Sequence, residues 1–488
     1  MAIDLTKPLA WKKATHDEQM MLKNLQGNIL KGHGRPRTIN VFFKIDTTKV
    51  AQMRNALREI ANYHVTSAMQ QLEETEAFKL TGKSGETFVA MMLSASGYAA
   101  LGVPAAKRPN NPVFTAGMKA ATSVAALGDP AVATWEAAFQ GKIDGLILIG
   151  SITDSPLLIE RDHIVTLLIE GGATIAHQQS GEAILNLVGD GIEHFGYVDG
   201  RSQPLMLVED IEQEAKTAGI GAWDPQFALN AALIADPGVD PGVVPNLAPP
   251  SFGSYFVFRK LEQDAQGFKR REQQLADALL MVGADARELA GAMAVGRFED
   301  GTPVTLSDEA KGQTPPNDFT YKSDPGARCP FQAHVRKVNP RGTGGAELEN
   351  VERGHIMPRR GIPYTDIARK THPSTLPGSD TLTDFNAKVA PLLPTGGVGL
   401  LFMAYNSDIN KQFQFTQQTW ANNPGFPIVP PPAPGIDPVM ANGSASTQNW
   451  PKAWGVATPT TPFAFSGFVK MKGGEYFFAP SLGFLKAL

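Results

Sequence analysis

Short β-favouring runs alternate along the chain with segments of helical period. Residues 38–45 (TINVFFKI) are dense in β-branched and aromatic side chains and predict a strand. Val50, Met53, Leu57 and Ile60 then recur at three- and four-residue spacing, which predicts a helix over 49–61, and 86–93 (ETFVAMML) predicts the next strand. Residues 15–25 read as a helix before the first strand, and Ser94 stands where the N-cap of a helix over 94–101 belongs. Two more short apolar runs, 143–149 and 163–170 (HIVTLLIE), read as strands. The order up to about residue 170 is βαββαβ-like.

Five prolines then fall within 235–251 (ADPGVDPGVVPNLAPPS), a composition that holds neither a ladder nor a helix and marks a crossing. Beyond it the order restarts with a strand over 254–259, a helix over 272–282, a strand over 399–405 and a helix over 408–419. A second proline-rich excursion, 426–439, is expected to cover surface. The halves share element order without a readable sequence repeat, so duplication rests on pattern. The expected division is 1–234, a crossing at 235–250, and 251–488.

Composition narrows the class. Of 488 residues 42% are hydrophobic and 19% charged, which excludes global disorder, and 44 basic against 48 acidic residues give no polybasic footprint for nucleic acid or an anionic membrane. A single cysteine, Cys329, excludes an internal disulfide and any multi-thiolate metal site. The first twenty residues contain no apolar signal segment and no run of about 18 apolar residues occurs, so the expectation is a cytoplasmic protein, with secretion left open.

Three segments carry candidate chemistry. In 194–204 (HFGYVDGRSQP) Asp199 lies between Gly196 and Gly200, where an aspartate by itself is an ordinary turn former. In 329–341 (CPFQAHVRKVNPR) His334 sits among apolar neighbours and reads either as a core residue or as an axial imidazole on a haem iron, with Arg336 placed to pair a propionate. Cys329 is the alternative, thiolate, ligand. In 358–364 (PRRGIPY) the adjacent Arg359 and Arg360 read as a solvated pair or as a held cation.

Together these segments resemble the GxxDG, proximal-histidine and distal-arginine motifs of the dye-decolourising peroxidases. The resemblance continues in QGNIL (26–30), SFGSYFVFRKLEQD (251–264), GLLFMAYNSDINKQFQFTQQTWANNPGFP (399–427) and GGEYFFAPS (473–481), and is closest to the long subgroup of that family. It implies an α+β fold: a duplicated ferredoxin-like unit, two facing antiparallel sheets with peripheral helices, a haem pocket in the second half and the GxxDG loop of the first half reaching over it. One haem b (iron protoporphyrin IX) per chain is implied, with His334 as axial ligand, Asp199 as proton shuttle and Arg359, rather than Arg360, as the catalytic cation.

Leu401 and Met403 share one face of the strand over 399–405 and are expected to wall the distal side. Asn422 falls where the family's acidic partner of the proximal imidazole is expected. Tyr364, Tyr405 and Trp420 are candidates for carrying electrons from bulky substrates. The implied reaction reduces hydrogen peroxide through a ferryl intermediate and oxidises bulky aromatic dyes and phenolic compounds; no nucleic-acid or membrane partner is implied, and a homo-oligomer is compatible with the sequence. A haem-binding or haem-trafficking protein and a peroxide-dependent oxygenase on the same scaffold are the alternatives, the former disfavoured by the presence of both Asp199 and Arg359.

Overall fold

The β-branched and aromatic run at Arg37–Ile45 forms strand β1, which pairs antiparallel with both Gly145–Ser151 (β3) and Ala173–Glu182 (β4), while Phe88–Leu93 (β2) pairs with β3. The computed structural model describes residues 3–239, 251–312, 316–368, 371–442 and 446–488. The spatial order of this half is β4-β1-β3-β2. Every residue of β2 and β3 is buried, which explains why these strands read as continuous apolar runs and not as an alternation.

The second half repeats the plan. Phe252–Gln263 (β5), Ile362–Thr365 (β6), Val398–Asn406 (β7) and Val469–Ala479 (β8) run antiparallel in the order β8-β5-β7-β6. Counted within its own half, each set is 4-1-3-2, so the duplication inferred from pattern is present in the topology. Phe478 pairs with Leu93 and joins the halves edge to edge. At the other end β4 lies against β6: Gln179 Nε2 donates to Asp366 Oδ1 (3.1 Å), and a Cβ on Gly181 would stand 2.6 Å from Ile362 Cγ2. The two sheets therefore close into a barrel-like whole. A short strand, Ile234–Ala235, lies on the start of β5, and residues 240–250 of the expected crossing fall outside the described residues.

Helices cover the outside. His16–Asn24 (α1) begins with a capping box in which Thr15 and Glu18 satisfy each other's backbone amides. Val50–Tyr63 (α2) buries Met53, Leu57 and Ile60, the residues whose spacing predicted it, and Ala68–Thr81 (α3) follows.

The expected strand over 163–170 is instead the end of a helix, Asp154–Glu170 (α4). Its buried face is Leu157, Ile164 and Leu168, but Leu158, Ile159 and Ile169 are apolar and exposed, so the helical period is blurred and the β-branched content misleads. The strand that completes the first half is β4, whose polar run HQQS concealed it. In the second half Ala265–Ala278 (α5) and Ala284–Val295 (α6) pack together, and the helix expected over 408–419 is wound as two π-type turns, Asn410–Gln414 and Thr416–Ala421. Among the described residues no helix is long and apolar enough to cross a membrane.

Candidate active site

A cavity of about 860 Å³ opens beside β5, β6 and β7, and His334, Asp199 and Arg359 all line it. Leu261, Ile362, Leu400 and Phe402 supply apolar wall.

His334 is the first residue of a short helix, His334–Val338 (α7). Its Nδ1 lies 2.8 Å from Asp437 Oδ2. Asp437 is fully buried, and its other oxygen accepts from the amides of Val439 (2.7 Å) and Met440 (3.0 Å). Burial alone would raise the pKa of this carboxyl, but the adjacent His334 and the two amides outweigh it and hold the group below its ordinary value. An anionic Asp437 takes the Nδ1 proton as a hydrogen bond and leaves the Nε2 lone pair as the ligating position of the imidazole.

Asp437 corrects two expectations at once. The proline-rich excursion over 426–439 does not merely cover surface, since it carries this aspartate inside. Asn422 is not the imidazole's partner: its Nδ2 donates to Leu127 O (2.9 Å), and its Oδ1 accepts from Gln417 Nε2 (2.9 Å) and Asn442 N (2.8 Å).

Asp199 follows Tyr197 and Val198 on a turn that the first half presents to the second. Gly196 (φ +99°) and Gly200 (φ +87°) adopt backbone angles closed to other residues, which is why glycines flank the aspartate. Phe195 stacks on Phe268 of α5 with ring centroids 3.9 Å apart, and Tyr197 donates its hydroxyl to Glu272 Oε1 (2.6 Å), so both anchors belong to the other half. Asp199 Oδ1 accepts from Gly200 N (2.6 Å), and Arg359 Nη1 lies 3.7 Å from the same oxygen.

Arg359 is itself fixed, with Nη2 donating to Arg201 O (2.9 Å) and its backbone amide to Gln203 Oε1 (3.0 Å). Its neighbour Arg360 is committed elsewhere: Nε donates to Asn28 O (2.7 Å) and Nη2 to Ile29 O (3.0 Å), which ties the QGNIL loop to this strand edge. Burial pulls its pKa down to about 10, so it stays charged at neutral pH as a structural cation.

Other expected positions move. Leu401 and Met403 do share a face, but it is the face buried in the core, while Leu400 and Phe402 face the cavity; the period-two reading was right and its side inverted. Arg336 does not reach the cavity wall. Its guanidinium donates to Cys329 O (2.6 Å), Asp324 O (2.8 Å) and Asp324 Oδ2 (3.2 Å), clamping the turn before α7. Cys329 is buried away from the cavity with its thiol pushed up to about 12 by burial, which removes it as a thiolate ligand. Tyr364, Tyr405 and Trp420 are 1%, 0% and 1% exposed, so a bulky dye cannot touch them.

Two further arginines that line the cavity away from the motif pair, Arg297 and Arg341, carry no mark in the sequence. Arg297 donates to Gly301 O (2.7 Å) and Pro316 O (3.0 Å), and Arg341 to Asn317 O (2.8 Å), Asn317 Oδ1 (2.7 Å) and Ser202 Oγ (3.0 Å). Among the described residues neither has a carboxylate within ion-pair distance. Burial lowers both pKa values, to about 9 and about 10. Two buried guanidinium groups with no carboxylate in ion-pair contact among the described residues, lining the cavity that His334 also lines, suit a ligand that brings its own carboxylates. A haem, with its propionates and an iron needing an imidazole, fits this donor set.

Glu193 also lines the cavity and was not singled out. It accepts from Phe195 N (2.8 Å), Tyr197 N (3.1 Å) and the Gln263 amide, so it shapes the turn that carries Asp199. Burial raises its pKa from 4.5 to about 7, partly offset by those bonds. The folded state then holds a proton that the unfolded chain has lost, so stability present at low pH falls as pH rises from about 4.5 through about 7. Glu272 and Glu288 are also raised to about 7 by burial and act in the same direction. Glu193→Gln is expected to make the fall of Tm between about pH 5 and about pH 8 shallower, and an unchanged slope would refute this assignment.

Fold and site together define a barrel-like α+β protein with an imidazole and an acid–cation pair on one cavity. The family model described as "DyP dimeric alpha+beta barrel domain" matches residues 24–204. The multifunctional dye peroxidase DyP2 of Amycolatopsis sp. is 47% identical over 497 residues, covering all of both chains, and its solved structure superposes with a TM-score of 0.91. Dye-decolorizing peroxidase msp1 of Mycetinis scorodonius is 31% identical over 97% of this chain and 89% of its own, and the DyP-type peroxidase of Anabaena sp. gives a TM-score of 0.84 at 37% identity, covering 96% of this chain and 94% of its own. The chain belongs to the dye-decolourising peroxidase family. It is a hydrogen-peroxide-dependent oxidoreductase.

Proposed function

We propose that each chain binds one haem b through His334 and uses Asp199 and Arg359 to reduce hydrogen peroxide while oxidising bulky dyes and phenols. The observation that carries this reading is the meeting of the His334–Asp437 pair and the Asp199–Arg359 pair on one cavity wall system. The haem would supply the redox-active iron, held by His334 Nε2, with Arg297 and Arg341 as the cations for its propionates in place of Arg336.

Asp199 is the group that can take a proton from the incoming peroxide oxygen and return it to the departing one. Arg359 presents its guanidinium to the negative charge that develops as the oxygens separate and does no proton transfer. The 3.7 Å between Arg359 Nη1 and Asp199 Oδ1 exceeds a hydrogen bond, so the two groups are not consumed by each other and can face a small molecule between them. Leu261, Leu400 and Phe402 exclude water on the apolar side. The division into halves at 1–234 and 251–488, with the crossing at 235–250, accords with Asp199 coming from the first and His334 and Arg359 from the second.

The test is turnover of an anthraquinone dye and of 2,6-dimethoxyphenol by the haem-loaded protein with and without hydrogen peroxide. Oxidation of both that requires peroxide and haem is the expected result, and a haem-loaded protein inert towards both would overturn the reading.

A further inference from the structure

Lys337 stands one helical turn after His334 on α7 and is fully buried. Among the described residues its ammonium has no carboxylate within ion-pair distance. Instead it donates to three backbone carbonyls: Asn423 O (2.8 Å), Phe426 O (2.6 Å) and Gly435 O (2.6 Å). An ammonium has three protons, so its donors are all used.

The three acceptors come from the two ends of one segment. Asn423 and Phe426 lie where the chain leaves the turn Thr416–Ala421, and Gly435 lies where it returns, two residues before Asp437. The segment closes on itself through Gly435 N to Pro424 O (2.9 Å), and Asp437 N donates to Ala421 O (2.9 Å). Pro430, Pro431 and Pro432 in its middle, and Pro434 just beyond, lack backbone donors, so the segment has few ladder bonds of its own to fix its path. Burial pulls the Lys337 pKa down to about 7, with the Asp437 carboxylate pulling the other way, so holding this side chain charged costs stability relative to an apolar side chain of the same length, and packing alone does not account for a lysine here.

We propose that Lys337 is a positioning residue for the peroxidase reaction: by pinning both ends of the 423–435 segment it holds Asp437 against His334 Nδ1. It thereby sets how much charge the imidazole gives through Nε2. One short helix would then carry both the ligand and the clasp that delivers the ligand's partner. This rests on the reading of His334 as the haem ligand.

The test uses the haem-loaded full chain and compares Lys337→Met, Asp437→Asn and the double variant. The readout that a purely structural role would not move is the iron–imidazole stretching band of the ferrous protein, measured by resonance Raman. Lys337→Met is expected to shift that band in the same direction as Asp437→Asn and to slow the reaction with peroxide by about tenfold or more, within the range seen when a metal ligand's hydrogen-bonding partner is lost. The double variant is expected to match Asp437→Asn alone, because the clasp has nothing left to position.

A wild-type band in Lys337→Met, or additive shifts in the double variant, would overturn the proposal. A wild-type protein with no iron–imidazole band would instead overturn the ligation by His334, so the two failures are distinguishable. If Lys337→Met does not load haem, Lys337→Gln, which retains two donors for the same carbonyls, is read in its place. Failure of both to fold also counts against the proposal, which confines the effect of Lys337 to the 423–437 segment.

Discussion

Arg359→Leu and Asp199→Asn are each expected to keep haem and to slow the reaction with hydrogen peroxide by at least about tenfold. A placed proton-transfer group contributes roughly 10²- to 10⁴-fold and a preorganised cation or donor about 10²- to 10³-fold, so tenfold is a floor. The two roles do not substitute for each other. Arginine stays charged and cannot accept the peroxide proton, whereas aspartate accepts and returns it but repels the charge that arginine stabilises. Arg360 offers no rescue in Arg359→Leu, because its guanidinium is bound to the carbonyls of Asn28 and Ile29. Stopped-flow mixing with peroxide measures the effect. Wild-type rates in Arg359→Leu would remove that residue from the chemistry, and wild-type rates in both variants would remove the pair.

His334→Ala is expected to abolish most haem retention. Two other histidines line the cavity, but neither is free to replace it. His33 stacks on Phe88, and its Nδ1 accepts from Arg35 N (3.0 Å). His355 has both ring nitrogens engaged, one by Lys411 O and the other by Glu347 Oε2 (2.9 Å). The arginine cations alone bind carboxylates and leave the iron without a protein ligand. The ratio of haem to protein after gel filtration decides the matter: full occupancy with an unchanged ferric spectrum in His334→Ala would sink the ligation.

Much of this was legible in the sequence because the features concerned are local. A glycine at a positive φ angle on either side of Asp199, the capping box at Thr15 and the apolar runs of β1 and β2 each leave their mark within a few residues. What was lost depends on distant partners. Asp437 meets His334 from 103 positions away, and nothing in a proline-rich stretch marks one aspartate as buried. Alternation along β7 gave two faces but not which of them met the cavity, since that is decided by β5 and β6 on either side. Arg336 sits one residue from Val335 at the cavity and still points to the turn at Asp324, a choice set by the fold of that turn. The helix α4 was missed because its outer face carries Leu158, Ile159 and Ile169.

The contact of β4 with β6 has a further consequence, for solubility. Strands as long and apolar as β1, β5 and β8 are prone to recruit a neighbouring chain wherever a row of backbone donors and acceptors lies bare. Here the two terminal strands of the sheet cover one another, by the Gln179–Asp366 bond and the close approach at Gly181, so the folded chain presents neither end as a template. Substitutions that pry β4 from β6 would thus announce themselves first as clumping of otherwise well-formed protein, well before any chemistry in the cavity is lost.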